Sequence, residues 1–104
     1  MSLERPRWSM EAERIFRQIK ITESDHLYVI QSEHKGAVKV GRSTRPERRL
    51  SQLQTASPAP LRLIRVYWYH GHREHVIHRM LAPLRLTGEW FQPSAMLILD
   101  EVMP

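Results

Sequence analysis

Cysteine is absent from all 104 residues. That removes disulfide staples, thiolate metal ligands and a thiol nucleophile from the available chemistry. A chain without thiols suits a reducing compartment, and a cytoplasmic location is the expectation. Long apolar runs are missing too: none approaches the roughly 20 residues that a membrane span needs. The charged start, Met1 to Arg7, has no apolar stretch behind it, so no signal peptide is expected. Glycine is scarce, four in all, and each one falls where an element should turn or end. Repeats, low-complexity tracts and linkers are lacking, which at this length implies one small domain. Basic residues vanish after Arg85: residues 86–104 hold three acids and no Lys or Arg.

Hydrophobic content of 41% and charged content of 26% are ordinary for a folded protein, with Trp8, Trp68 and Trp90 as candidate anchors. The charge distribution is not ordinary. From Lys35 to Arg85 the chain carries 11 Lys/Arg against two acids, Glu47 and Glu74, a net of +9 within a total of +5. A pI near 10.2 and a cationic middle favour a polyanionic partner, nucleic acid first. A lone carboxylate in that stretch suits a site that collects phosphate by charge and keeps one anionic ligand for a metal. The plainer account is that Glu74 pairs with a neighbouring arginine on a solvated helix face.

Ser9 can cap a helix through Lys20, with Glu11 and Glu13 in its first turn and Arg17 and Lys20 in its last. Leu27-Tyr28-Val29-Ile30 and Ala37-Val38-Lys39-Val40 read as a hairpin around Glu33-His34-Lys35-Gly36. Pro46 opens a helix to about Gln54, carrying Leu50 and Leu53 inward and Arg45, Arg48 and Arg49 nearer the surface. Ser57-Pro58-Ala59-Pro60 breaks the chain. Leu61 to Tyr69 is β-like, and its apolar parity shifts near Ile64, as a bulge or a two-sided strand would make it. On such a strand Trp68 points opposite to Tyr67 and Tyr69. Gly71 precedes a helix from about His72 to Leu81, stopped near Pro83. Gly88-Glu89-Trp90-Phe91 is a turn into a short strand, and Ser94 can cap a last helix, Ala95 to Val102. The expectation is an α+β domain: a small central antiparallel sheet flanked by helices. Residues 1–25 form an N-terminal helical flank, 26–92 the core and 93–104 a C-terminal helical flank, one domain in all.

His72-Arg73-Glu74-His75-Val76-Ile77-His78 invites a zinc reading. The residue before Glu74 is Arg73, however, so the His-Glu-x-x-His pattern fails. The pairs that share a helix face are Glu74/His78 and His75/His78. Hydrolysis of a phosphodiester needs a metal on oxygen ligands, a cation for the charge that builds on phosphate, and a base for water. Glu74 can hold Mg²⁺ or Mn²⁺, and Arg42 and Arg49 can clamp phosphate bidentately. Arg45 and Arg48 join them as phosphate-binding candidates. Tyr28 is placed to act as base or to orient water; a half-buried packing role is its plain alternative. His78, one turn after Glu74, can orient the carboxylate, contact phosphate or bond a backbone carbonyl. Trp90 and Phe91 can stack on bases or plug the core.

These residues resemble the GIY-YIG endonuclease superfamily, in its small phage- and bacteria-type branch of phage DNA-binding or meiotically up-regulated gene domains. The resemblance rests on His26-Leu27-Tyr28-Val29-Ile30, Val38-Lys39-Val40-Gly41-Arg42-Ser43, the helix Arg45 to Pro58, Glu74-His75-Val76-Ile77-His78 and Gly88-Glu89-Trp90-Phe91. It runs from about His26 to Phe91. It implies that Tyr28, Lys39, Arg49 and Glu74 are catalytic, with Glu74 the metal ligand. Lys39 stands where the superfamily keeps a second tyrosine, and the late asparagine of many members has no counterpart, Glu89 being the nearest polar residue. The function implied is metal-dependent hydrolysis of DNA by in-line attack of water. A non-catalytic DNA-binding module is the alternative, and a protein-interaction domain a third. DNA is the expected partner, with no membrane, and a homodimer or partner subunit would supply specificity that so small a surface lacks.

Overall fold

The structure is a computed structural model and describes residues 25–104. The helix expected from Ser9 to Lys20 lies outside the described residues. Among them no helix is long and apolar enough to cross a membrane.

Strands β1 (His26–Ser32) and β2 (Val38–Ser43) form the expected antiparallel hairpin, with Tyr28 opposite Gly41 and Ile30 opposite Lys39. Helix α1 (Pro46–Ala56) follows, then β3 (Leu61–Tyr67) and a 3₁₀ turn, Gly71–Arg73, which runs into α2 (Glu74–Met80). A short hairpin of β4 (Arg85–Thr87) and β5 (Trp90–Phe91) precedes α3 (Ala95–Val102). The sheet order is β3-β1-β2-β5-β4, every pair antiparallel. The fold is thus a compact α+β domain, a five-stranded antiparallel sheet with three helices, as the sequence led one to expect.

Strand β1 is central, and that explains its unbroken apolar run: Leu27, Tyr28, Val29 and Ile30 are all buried, on alternating faces. Tyr28 and Ile30 face α1, where Leu50, Leu53, Leu61, Leu63 and Trp90 complete one cluster. Leu27 and Val29 face α2 and α3 and join Val38, Val40, Ile77, Leu81, Phe91, Ala95, Leu99 and Met103. Ala95 and Leu99 on α3 and Met103 just past its end are buried at every fourth position, one helical stripe. Of the two readings of the parity shift near Ile64, the bulge is the one present: Val29 pairs with Arg65 but Ile30 with Leu63, so Ile64 is the extra residue. It carries Ile64 to the α3 side while Leu61 and Leu63 serve the α1 side.

Two sequence readings need correction. Strand β3 stops at Tyr67, so alternation does not govern Trp68 and Tyr69. Tyr69 turns into the left-handed region at φ 65°, and both Trp68 and Tyr69 lie against the His26 ring. The hairpin partner of β5, strand β4, was not foreseen. Three residues, all exposed, leave no period to read.

A candidate phosphate and cation site at the edge of strand 2

Beyond Lys39, β2 has no ladder partner on its outer side among the described residues, because β5 pairs only as far as Lys39 with Trp90. Two groups fill that edge. The Val40 N–H donates to the Glu89 carbonyl at 3.1 Å, and the Val40 carbonyl accepts from His78 Nε2 at 2.7 Å. A carbonyl only accepts, so Nε2 of His78 carries a proton. The β4–β5 turn and helix α2 are thereby fastened to the same strand edge, and their carboxylates come together. Ligand atoms of Glu74, His78 and Glu89 lie within 4.8 Å of one another. Glu74 Oε2 is 3.9 Å from His78 Nε2, one helical turn along.

The two carboxylates are set among cations. Lys39, nearly buried, places Nζ 2.9 Å from Glu89 Oε1 and 5.9 Å from the Trp90 ring centre. Burial pushes the Glu74 carboxyl up, and Glu89 adds to that, while His78, Arg42 and Lys39 pull it down. A desolvated carboxylate beside a second one is a site short of positive charge, despite the lysine. Two carboxylate oxygens suit a hard ion such as Mg²⁺ or Mn²⁺ better than zinc. His78 enters as a positioning group, since its Nε2 is taken by Val40. His75, the other half of the zinc reading, stays exposed on α2.

Tyr28 reaches this group from the α1 face. Its ring lies over Gly41: a Cβ there would sit 2.5 Å from the tyrosine hydroxyl. Glycine at 41 is therefore a packing requirement. Burial pushes the Tyr28 phenol up. Arg49, which hydrogen-bonds it, counters that in part, and Glu89 and Glu74 add to the rise. The phenol stays protonated at neutral pH and can orient water or phosphate as a donor. A base role would need the phenolate that this environment disfavours.

Arg49 is exposed on α1 and also donates to Gln52 at 3.3 Å, which leaves further N–H groups for an anion. Arg42 is tied to Asp25 at 2.6 Å, with its side chain 44% exposed. It also bears on Glu74 and His72 electrostatically. Arg45 and Arg48 are exposed and take part in none of these ion pairs or hydrogen bonds. Phe91 is wholly buried and Trp90 half-buried among the core side chains, which accounts for both without a base. Glu89 was missed as a site residue. The signal was the Gly88-Glu89 turn, but without β4 nothing in the sequence aims that turn at Lys39.

No curated protein and no solved structure matches the chain. Residues 25–102 match the T5orf172 domain, a phage-associated domain with a DNA-related role. No GIY-YIG family matches, and the superfamily assignment drawn from the motifs is corrected accordingly. The physical reason is visible in what those motifs do here. Gly41 admits the Tyr28 ring, Pro46 starts α1, and Leu50 and Leu53 fill the cluster under it. Such residues answer to packing of a hairpin on a helix, which short motifs share across families. The chain belongs to the T5orf172 domain family.

Proposed function

We propose that this domain hydrolyses DNA phosphodiester bonds by in-line attack of water, assisted by a divalent cation held at Glu74 and Glu89. One observation carries the reading: a half-buried Glu74, its carboxyl pushed up by burial and by Glu89, stands within reach of Lys39, Arg42 and the Tyr28–Arg49 pair. A surface that only binds DNA gains nothing from two carboxylates facing phosphate. A divalent cation held by Glu74 and Glu89 would offset their repulsion and would supply Lewis-acid charge to a phosphate oxygen. Arg49 and Arg42 take non-bridging oxygens through their remaining N–H groups. The protonated Tyr28 hydroxyl orients water or phosphate. With a cation held at Glu89, Lys39 would be free to take a phosphate oxygen. His78 fixes α2 to Val40 and so sets where Glu74 sits. Arg45 and Arg48, further along α1, contribute to the field that draws the strand in.

Supercoiled plasmid incubated with Mg²⁺ or Mn²⁺ tests this. Nicking that stops with chelator and is lost in Glu74→Ala is the expected result; undiminished cutting by that variant refutes the assignment. A second reading, a DNA-binding module without catalysis, is favoured by the Lys39–Glu89 ion pair, which satisfies Glu89 without a metal. Steeply salt-dependent binding with no nicking under any divalent ion is its signature.

A further inference from the structure

On the loop between β3 and the 3₁₀ turn that runs into Glu74, two large aromatic side chains stand out of the surface. Trp68 and Tyr69 are each 56% exposed. They are adjacent in sequence, yet neither ring turns into the core. A single buried residue holds them: His26, whose ring meets Trp68 at 4.6 Å and 70° and Tyr69 at 4.8 Å and 77°. The Tyr69 N–H donates to His26 Nδ1 at 2.8 Å, which fixes Tyr69 at φ 65°. A tyrosine in that region is sterically disfavoured, so the local contacts maintain a conformation the chain would otherwise leave. An edge-to-face contact covers at most one face of an aromatic ring. His26 therefore leaves each ring a face to offer.

The surroundings say what would take those faces. The loop leads into Gly71–Arg73 and so to Glu74. Its position is set by Asp25: the Gly71 N–H donates to the Asp25 carbonyl at 2.9 Å, and a Cβ on Gly71 would collide with Asp25. Asp25 in turn holds Arg42. Arg42 and Arg73 both bear on His72 electrostatically, and Arg42 also bears on Glu74. Two held aromatic rings on the loop that leads to Arg73 and Glu74, one connection away from the candidate phosphate site, match the chemistry of a strand with bases on one side and phosphates on the other. An acidic or purely apolar protein partner would not need both. In a duplex the base faces are covered by their neighbours, so only an unpaired base can lie on such a ring.

We propose that Trp68 and Tyr69 form a stacking platform for unpaired nucleobases flanking the phosphate held at the Arg42–Glu74 site, so that the preferred substrate is single-stranded or locally opened DNA. This rests on the hydrolytic reading for its biological use, but its test does not. Binding of a short fluorescein-labelled oligothymidylate and of a hairpin duplex with the same number of phosphates is measured by anisotropy, with the full chain in chelator.

Trp68→Ala and Tyr69→Gly are each expected to weaken single-strand binding about tenfold and duplex binding less than twofold. Trp68→Phe should retain most of the affinity. Glycine adopts the Tyr69 backbone conformation without strain, so a loss in Tyr69→Gly reports the ring and not a damaged loop. Oligothymidylate should also quench tryptophan fluorescence in the wild type and much less in Trp68→Phe, a readout that survives if Trp68→Ala folds poorly. Unchanged single-strand binding in both ring-deleting variants, or an equal loss on duplex, overturns the platform. A protein that never cuts but keeps this single-strand preference sinks the hydrolytic proposal alone. One that cuts with neither ring mattering sinks the platform alone.

Discussion

Glu74→Gln should make the metal-free protein more stable while removing its response to divalent ions. The carboxylates of Glu74 and Glu89 approach within 4.8 Å. At an effective dielectric of about 20, two like charges at that separation repel by about 3 kcal/mol. Arg42, Lys39 and the amino end of α2 return part of this, which leaves a net cost of about 1 kcal/mol for the charge on Glu74. Its carboxyl is pushed up by burial and then by Glu89. A raised folded-state value means that the folded protein prefers the protonated acid. The contribution to stability is complete below the unfolded value, near 4.5, and is lost as pH rises through the folded value. At neutral pH the glutamine, which mimics the protonated acid in shape and never charges, should therefore raise Tm by about 4–8 °C. In acid below the ordinary carboxylate range the two proteins should melt together. Added Mn²⁺ should close or reverse the gap by stabilising only the wild type, by about 2.7 kcal/mol at a hundredfold excess over Kd. Thermal melts in chelator and in Mn²⁺ at two pH values give all four numbers. A Glu74→Gln protein less stable than the wild type in chelator at neutral pH, or one that gains as much from Mn²⁺, would refute the reasoning.

Gly41→Ala should cost about 1–3 kcal/mol by denaturant titration, because its Cβ meets the Tyr28 hydroxyl at 2.5 Å; Tyr28→Phe in the same chain should recover part of the loss. Lys39→Ala should bind Mn²⁺ at least as tightly as the wild type by calorimetry, since a competing cation leaves Glu89, yet nick plasmid more slowly. Leu99→Ala, which empties a fully buried position on α3, should cost about 2–5 kcal/mol by the same titration. His70 is lowered from 6.5 to about 4, by burial first and then by Arg73 and His72. The folded protein thus prefers neutral His70, and stability present above pH 6.5 should fall towards pH 4, by about 3 kcal/mol at most from this group. Urea titrations across that window should show a shallower fall in His70→Asn.

Where an element announces itself by period, the chain was readable. The unbroken apolar run of β1, the inward Leu50 and Leu53 of α1 and the parity slip at Ile64 each reflect burial, and burial dictates the side chains that satisfy it. The β4–β5 hairpin was not readable. Its strands are three and two residues long, and β4 is exposed throughout, so no periodicity is imposed on it. Trp68 and Tyr69 misled for a related reason. They look like strand residues by type, but one hydrogen bond to His26, 43 residues away in the sequence, turns the chain out of the sheet. The family assignment shows the same limit from the other side. Residues set by hairpin packing resemble a superfamily signature, while the role of Glu89 inside Gly88-Glu89-Trp90-Phe91, beside Lys39, is set by a short hairpin that the motif does not reveal.

The candidate site depends on β5 being short. A full-length partner strand would satisfy the Val40 backbone through ladder hydrogen bonds, and neither the Glu89 carbonyl nor His78 would be needed there. Stopping the ladder at Lys39 leaves one donor and one acceptor of β2 to be met by two other elements, and the obligation to pair buried backbone groups draws those elements in. Each brings a carboxylate, Glu89 from the hairpin turn and Glu74 from the turn of α2 before His78. The cost of leaving Val40 unpaired thus becomes the force that holds two acids close against their own repulsion. Replacing His78 by an apolar residue of similar size should consequently loosen Glu74 as well as α2. Weaker Mn²⁺ binding without any change of a carboxylate would be its mark, and unaltered binding in His78→Leu would show that the strand edge does not position the site.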